Sequence, residues 1–159
     1  MTENPLQPEV HFRNIDDDTV LEICDLSHTL SPAQRKMVAD NSVSIAQAYF
    51  SKNAWFRAIY ADDAPVGFIM LDLGSDNDDG VDGNSVYLWR FMIAGSYQGK
   101  GYGKQAIELL LKHLKGQGIH ELITSCGEGE GSPIGFYTGL GFVPNGETYG
   151  DEIGLILKF

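Results

Sequence analysis

Ser85–Ala94 (SVYLWRFMIA), followed after three residues by Gln98–Gly103 (QGKGYG), is the stretch whose reading decides the fold. The first part is almost continuously apolar, as expected of a central strand buried on both faces. The second part is a glycine-rich turn that feeds a helix. A strand, such a turn and a helix together make an anion site. The first N–H groups of a helix have no internal acceptor, the helix dipole adds positive potential there, and glycines let the chain curl around phosphate oxygens. Gly99, Gly101 and Gly103 are spaced for that task, with Lys100 and Lys104 adding charge. The Walker pattern GxxxxGK[ST] is absent. A dinucleotide fingerprint can be laid over Gly101-x-Gly103-x-x-Ala106, but that fingerprint belongs after the first strand of a parallel βαβ unit.

Working outward, Ala106, Ile107, Leu110, Leu111 and Leu114 give the following helix an apolar stripe from about Tyr102 to Lys115, and Gly116 and Gly118 end it. Ile119–Cys126 reads as a strand. Ser132-Pro133 opens a short helix to Leu140, stopped by Gly141, and 142–159 reads as two strands turning near Tyr149-Gly150. Upstream, Ala54–Ala61 and Pro65–Leu73 flank Asp62-Asp63 as an antiparallel hairpin. Glu9–Asn14 alternates as a first strand. Asp16-Asp17-Asp18 offers caps to a helix carrying Val20, Leu21, Ile23, Cys24 and Leu26. Ser31-Pro32 starts another helix, and Ser44 caps a short one to Ser51. The expectation is a mixed α/β (α+β) domain with one large sheet, ordered β-α-α-β-β-β-α-β-α-β-β. The strand before the glycine turn is then the fourth. Residues 1–8 are expected to be a flexible polar N-terminus and 9–159 a single domain, since 159 residues suit one core.

Eleven basic residues against 22 acidic ones give a formal charge of −11. That argues against nucleic acid as the main partner and is compatible with a cationic substrate. Cys24 and Cys126 match no metal-ligand spacing, and free thiols are expected. Gly74–Gly83 is acidic and glycine-bearing, a solvated hairpin tip. A calcium loop through Asp76, Asp78 and Asp82 lacks the bidentate Glu and regular spacing, so no metal is expected. No apolar run approaches membrane-spanning length and no signal-peptide core precedes Glu9; a cytoplasmic protein is expected.

Gln98, Gly101 and Gly103 also match the diphosphate loop of the acyl-CoA N-acetyltransferases, the GNAT superfamily: Gln or Arg, two residues, Gly, one residue, then Gly or Ala. The element order resembles that fold over about 9–159. Ser132–Phe142 (SPIGFYTGLGF) resembles the family's second signature, a helix carrying FY and closing in LGF. Val38-Ala39-Asp40-Asn41, Ser44–Ala48 and Gly146-Glu147 are similar to a bacterial spermine/spermidine-type subgroup. The resemblance implies direct acetyl transfer from acetyl-CoA, without a metal, to an amine of a small molecule, and relatives are often homodimers.

It also implies site residues. Gln98, Gly99, Lys100, Gly101, Tyr102, Gly103 and Lys104 would hold the diphosphate. The edge at Phe91, Met92 and Ile93 would pair with pantetheine, with an N–H near Met92 or Ile93 facing the oxyanion. Tyr137 would be the general acid. Glu130 falls where many relatives carry an Asn that contacts pantetheine. The fourth-strand Glu that serves as base in eukaryotic diamine acetyltransferases is Trp89 here. That leaves Glu128, through a water, as candidate base, with Asp72 as another. Trp89 is also a candidate cation–π surface for the acceptor, and Glu147 and Glu152 candidate anchors for a polyamine. A module that keeps the CoA site without catalysis remains an alternative, as do aminoglycoside, amino-acid and protein N-terminal acceptors.

Overall fold

The computed structural model describes residues 6–74 and 85–159. Residues 75–83 of the expected hairpin tip, and with them the calcium-loop alternative at Asp76, Asp78 and Asp82, lie outside those residues. Seven strands form one sheet: β1 (Val10–Arg13), β2 (Ala54–Ala61), β3 (Ala64–Asp72), β4 (Ser85–Ile93), β5 (Glu121–Cys126), β6 (Val143–Tyr149) and β7 (Glu152–Lys158). Their spatial order is β1-β2-β3-β4-β5-β7-β6. All neighbours are antiparallel except β4 and β5. That parallel pair is short. Ser85, Val86 and Tyr87 face Glu121, Leu122 and Ile123, and beyond Tyr87 the two strands part.

The helices are α1 (Val20–Asp25), α2 (Pro32–Arg35), α3 (Asn41–Tyr49), α4 (Tyr102–Gly116) and α5 (Ile134–Gly139). Ala106, Ile107, Leu110 and Leu114 of α4 are buried with Ile59, Ile69, Leu71, Leu88, Leu122 and Leu155 of the sheet. On the opposite face, Ile23, Leu26, Leu30 and Ala48 pack on Ala58, Tyr60, Phe68, Met70 and Met92. The sheet is therefore covered on both sides, and each fully buried Leu, Ile or Phe contributes about 1.5–3 kcal/mol of transfer free energy.

Element ends depart from the sequence expectation for identifiable reasons. Gly118 takes φ +79°, and Ile119 donates its N–H to the Leu114 carbonyl at 3.0 Å. Ile119 thus closes α4, and β5 starts at Glu121 instead. The expected helix start at Ser44 is corrected to Asn41, with Asp40 in the N-cap position. Asn41 is buried, donating its backbone N–H to Ser27 Oγ at 2.8 Å and its side-chain amide to the Ile23 carbonyl at 2.8 Å. These long-range bonds begin the helix early and leave Ser44 inside it. Leu21, expected in the apolar stripe, is 77% exposed. The predicted cap at Ser31 is present as a reciprocal pair of bonds with Gln34.

Candidate active site

The divergence of β4 from β5 opens a cavity of about 860 Å³ that begins at the glycine turn. Its geometry starts with a β-bulge. The β3–β4 register shifts between Met70 and Leu71, whose partners are Arg90 and Leu88, so Trp89 is the extra residue. Such an insertion bends a strand and re-aims its edge. Past the bulge, Ala94 donates its N–H to Val66 on β3 at 2.7 Å. Strand alternation then turns Met92 toward β3 and turns the N–H groups of Phe91 and Ile93 toward the gap. The expected donor "near Met92 or Ile93" is thereby narrowed: Met92 is engaged in the sheet, and its sulfur lies 3.7 Å from the Asn41 amide.

The glycine turn has the backbone its sequence called for. Gly99 and Gly101 lie at φ +77° and +85°, a region that penalises any side chain, and Gly101 is the residue before α4. A Cβ on Gly99 would meet nothing within 4 Å, so that side of the turn is open. A Cβ on Gly103 would come to 3.1 Å of the Phe136 ring. That close approach lets α4, β4 and α5 converge, with Phe136 stacked on Phe91 at 5.7 Å. Gln98 also makes side-chain bonds that the sequence does not display. Its side chain donates to the Ile93 carbonyl at 2.9 Å and accepts from Gln34 of α2 at 2.9 Å. It ties the turn to β4 and α2. Gln98, Gly99, Gly101, Tyr102, Gly103 and Lys104 all border the cavity; Lys100 does not.

Tyr137 projects from α5 and is 4% exposed. Its ring packs edge-on against Phe142 at 5.2 Å, and its phenol lies beside Thr124. Burial pushes the phenol well above its ordinary value, and nearby Cys126, Tyr87 and Glu152 push the same way against the Thr124 contact. Tyr137 therefore stays protonated throughout the neutral range. Thr124 itself donates to the Leu88 carbonyl at 3.0 Å, pinning the two strands where they begin to part. Cys126 also borders the cavity, its thiol raised first by burial and partly offset by Ser132.

The far end of the cavity lies on the other face of the sheet. Val86 and Leu88, Leu122 and Cys126, and Ile153 and Leu155 face α4, so alternation places Tyr87, Ser125 and Glu152 opposite. These three form a chain. The Tyr87 hydroxyl and Ser125 Oγ are 2.6 Å apart, and Ser125 Oγ donates to Glu152 Oε2 at 3.1 Å. Arg90 stands beside them. It donates to the Trp89 carbonyl at 3.0 Å and to Gln47 Oε1 at 3.1 Å, while its buried Nε has no hydrogen-bond partner among the described residues. Desolvation lowers its pKa, against the pull of Tyr87 and Glu152. Its guanidinium sits 5.5 Å from the Trp89 ring centroid, so one face of that ring is already covered by a cation.

The cavity thus gathers Trp89, Phe91, Met92, Ile93, Tyr137 and Glu152 with the glycine turn. Asp72, Glu128, Glu130 and Glu147 are not among its lining residues. Glu128, Glu130 and Glu147 stand at the surface, and Asp72 ends β3, where it accepts the Gly74 N–H. Tyr87, Arg90, Ser125 and Gln34 were missed. Their signal was weak: Tyr87, Arg90 and Ser125 are polar residues in otherwise apolar strands, Gln34 sits in the short helix α2, and no spacing joins them.

Comparison with known proteins agrees with this geometry. The acetyltransferase (GNAT) family pattern matches residues 21–142, and the chain belongs to that family. It is 29% identical over 139 residues to the spermine/spermidine N(1)-acetyltransferase of Bacillus subtilis strain 168, spanning 87% of this chain and 90% of that protein. An acetyltransferase of Thermus thermophilus superposes with TM-score 0.75 at 16% identity, covering 94% of this chain and 97% of its own. A PaiA N-acetyltransferase of Thermoplasma acidophilum, solved in complex with coenzyme A, gives TM-score 0.67 at 18% identity, covering 95% and 99%. The chain is an acetyl-CoA-dependent N-acetyltransferase, and its open glycine turn, with two residues at positive φ, fits the co-substrate's diphosphate.

Proposed function

We propose that the chain transfers the acetyl group of acetyl-CoA to a primary amine of a small molecule, a polyamine such as spermidine or spermine, by direct attack in a ternary complex. The observation that carries this reading is the cavity that crosses the sheet through the β4–β5 gap. It runs from the glycine turn and Tyr137 on one face to Tyr87, Ser125 and Glu152 on the other. Donor and acceptor can then enter from opposite sides. The Bacillus relative supports the polyamine class, as does Glu152, the one carboxylate among the described residues that line the cavity.

In this reading, Gly99, Gly101 and Gly103 present backbone N–H groups to the diphosphate, and Lys104 adds charge. Acetyl-CoA supplies the activated acetyl group as a thioester. The N–H groups of Phe91 and Ile93 face the carbonyl oxygen as it gains charge. Tyr137 donates a hydrogen bond to the departing sulfur. A phenol held above about 10 does not give its proton outright to a thiolate of about 8.5, so stabilisation rather than full transfer is its task.

Arg90 favours a second reading. A half-buried guanidinium without a carboxylate ion pair among the described residues repels a polycation and suits an acceptor that carries a carboxylate, such as an amino acid. One experiment separates the two: thiol release from acetyl-CoA with spermidine, spermine, amino acids and aminoglycosides. Polyamine turnover is the expected result. Turnover confined to carboxylate-bearing amines replaces the acceptor. No thermal stabilisation by CoA would overturn the donor site.

A further inference from the structure

The general base is the missing part of the mechanism, because the carboxylates expected to serve, Glu128 and Asp72, do not line the cavity. We propose that Glu152 is the terminal proton acceptor for the incoming ammonium, reached through Tyr87 and Ser125. This rests on the amine-acetylation reading above and deepens it.

The direction of the hydrogen bonds is what makes the chain a relay. Ser125 has one hydroxyl proton, and it goes to Glu152 Oε2 at 3.1 Å. Ser125 Oγ must then accept at its other contact, so Tyr87 donates across the 2.6 Å separation. The Tyr87 oxygen is left with only accepting capacity, at a residue lining the cavity. An ammonium, which has donors and no acceptor, is its complement. Tyr87 also closes the β4–β5 pairing, which places the relay at the vertex where the two strands part, and Tyr137 lies close enough to feel both Tyr87 and Glu152.

The step balances. One N–H bond of the ammonium breaks and leaves its electron pair on nitrogen. That proton bonds to the Tyr87 oxygen as the phenol's own proton passes to Ser125 Oγ and the Ser125 proton to Glu152 Oε2. The products are a neutral amine and a neutral carboxylic acid. In water a carboxylate of about 4.3 would not take a proton from an ammonium of about 10.4. The transfer is drawn forward because attack on the thioester consumes the neutral amine as it forms. The titratable and charged groups around Glu152 are Tyr87 and Arg90 from β4, Cys126 from β5, Tyr137 from α5 and Tyr149 from β6, whose ring packs on Tyr87 at 5.7 Å. Arg90 is the one cation in that group.

The test is the pH dependence of kcat/KM for Glu152→Gln, Ser125→Ala and Tyr87→Phe, with spermidine, n-butylamine and glycine as acceptors. Each variant is expected to lose about 100-fold near pH 7.5 while CoA-induced thermal stabilisation stays at the wild-type value. The deficit should shrink as pH rises, because the neutral amine in solution grows tenfold per pH unit below about 10. A pH profile unchanged from wild type in all three variants overturns the relay. So does a pattern in which Glu152→Gln alone raises KM for spermidine while Ser125→Ala and Tyr87→Phe keep kcat, since Glu152 is then only an anchor. If the wild-type chain binds CoA but acetylates none of the three amines, the amine reading fails first and takes the relay with it.

Discussion

The two ends of the cavity are built from different materials. The donor end is backbone: glycines at positive φ, the first turn of α4, and the free edge of β4 past its bulge. The acceptor end is side chain: Tyr87, Ser125, Glu152 and Arg90, drawn from β4, β5 and β7. The difference matters because backbone recognition depends on local conformation, which a short motif specifies. Side-chain recognition depends on which strands become neighbours, which no single motif specifies.

The sharpest way to break the donor end is Gly101→Val. A β-branched residue at φ +85° costs about 3 kcal/mol in the bound conformation, so CoA affinity should fall about 100-fold by calorimetry while far-ultraviolet circular dichroism keeps the native signature. Unaltered affinity would move the diphosphate elsewhere. Next in size is Tyr137→Phe. Losing the donor to the departing sulfur should lower kcat about 10- to 100-fold with CoA affinity within about twofold; unchanged kcat would remove Tyr137 from the chemistry. Arg90→Met tests the acceptor end alone. Removing the cation should lower the KM for spermidine about fivefold, the equivalent of roughly 1 kcal/mol of like-charge repulsion, and should raise it for a carboxylate-bearing acceptor.

A last effect is on stability at alkaline pH. Tyr137 holds its proton in the folded state beyond the value at which the unfolded chain releases it. The unfolded state thus binds fewer protons above about pH 10, and stability falls there by up to about 1.4 kcal/mol per pH unit for this one group. Below about 10 the two states are equally protonated and the group contributes no slope. Melting temperatures of the wild type should therefore drop more steeply between about pH 10 and 11 than those of Tyr137→Phe, and parallel curves would contradict the assignment.

The order of elements along the chain and most of their spans were legible, because the apolar runs of β2 and β3 and the stripe Ala106, Ile107, Leu110 and Leu114 are strong local signals. The glycine turn and Tyr137 were legible as motifs. Other features rest on contacts that a local stretch of sequence does not display. Asn41 begins α3 early because Ser27 and Ile23 accept its bonds. Gln98 stays in the turn at the cavity, and its side chain is held by Ile93 and Gln34. Trp89 borders the cavity, with Arg90 covering one face of its ring. Glu128 and Glu130 stood close in sequence to the second signature, yet the loop Gly127–Gly131 carries both into solvent.

By itself the sequence determined the acyl donor. A glycine at positive φ and a helix N-terminus are local conformations that the spacing from Gln98 to Gly103 favours, and its place after a fourth strand makes that stretch read as a CoA turn. Only the tertiary structure decided the acceptor chemistry. Tyr87, Ser125 and Glu152 are separated by 38 and 27 residues along the chain, and they meet because β5 inserts between β4 and β7 in the sheet. That adjacency is set by the burial of two apolar faces at once, a property of the whole fold that no stretch of residues contains.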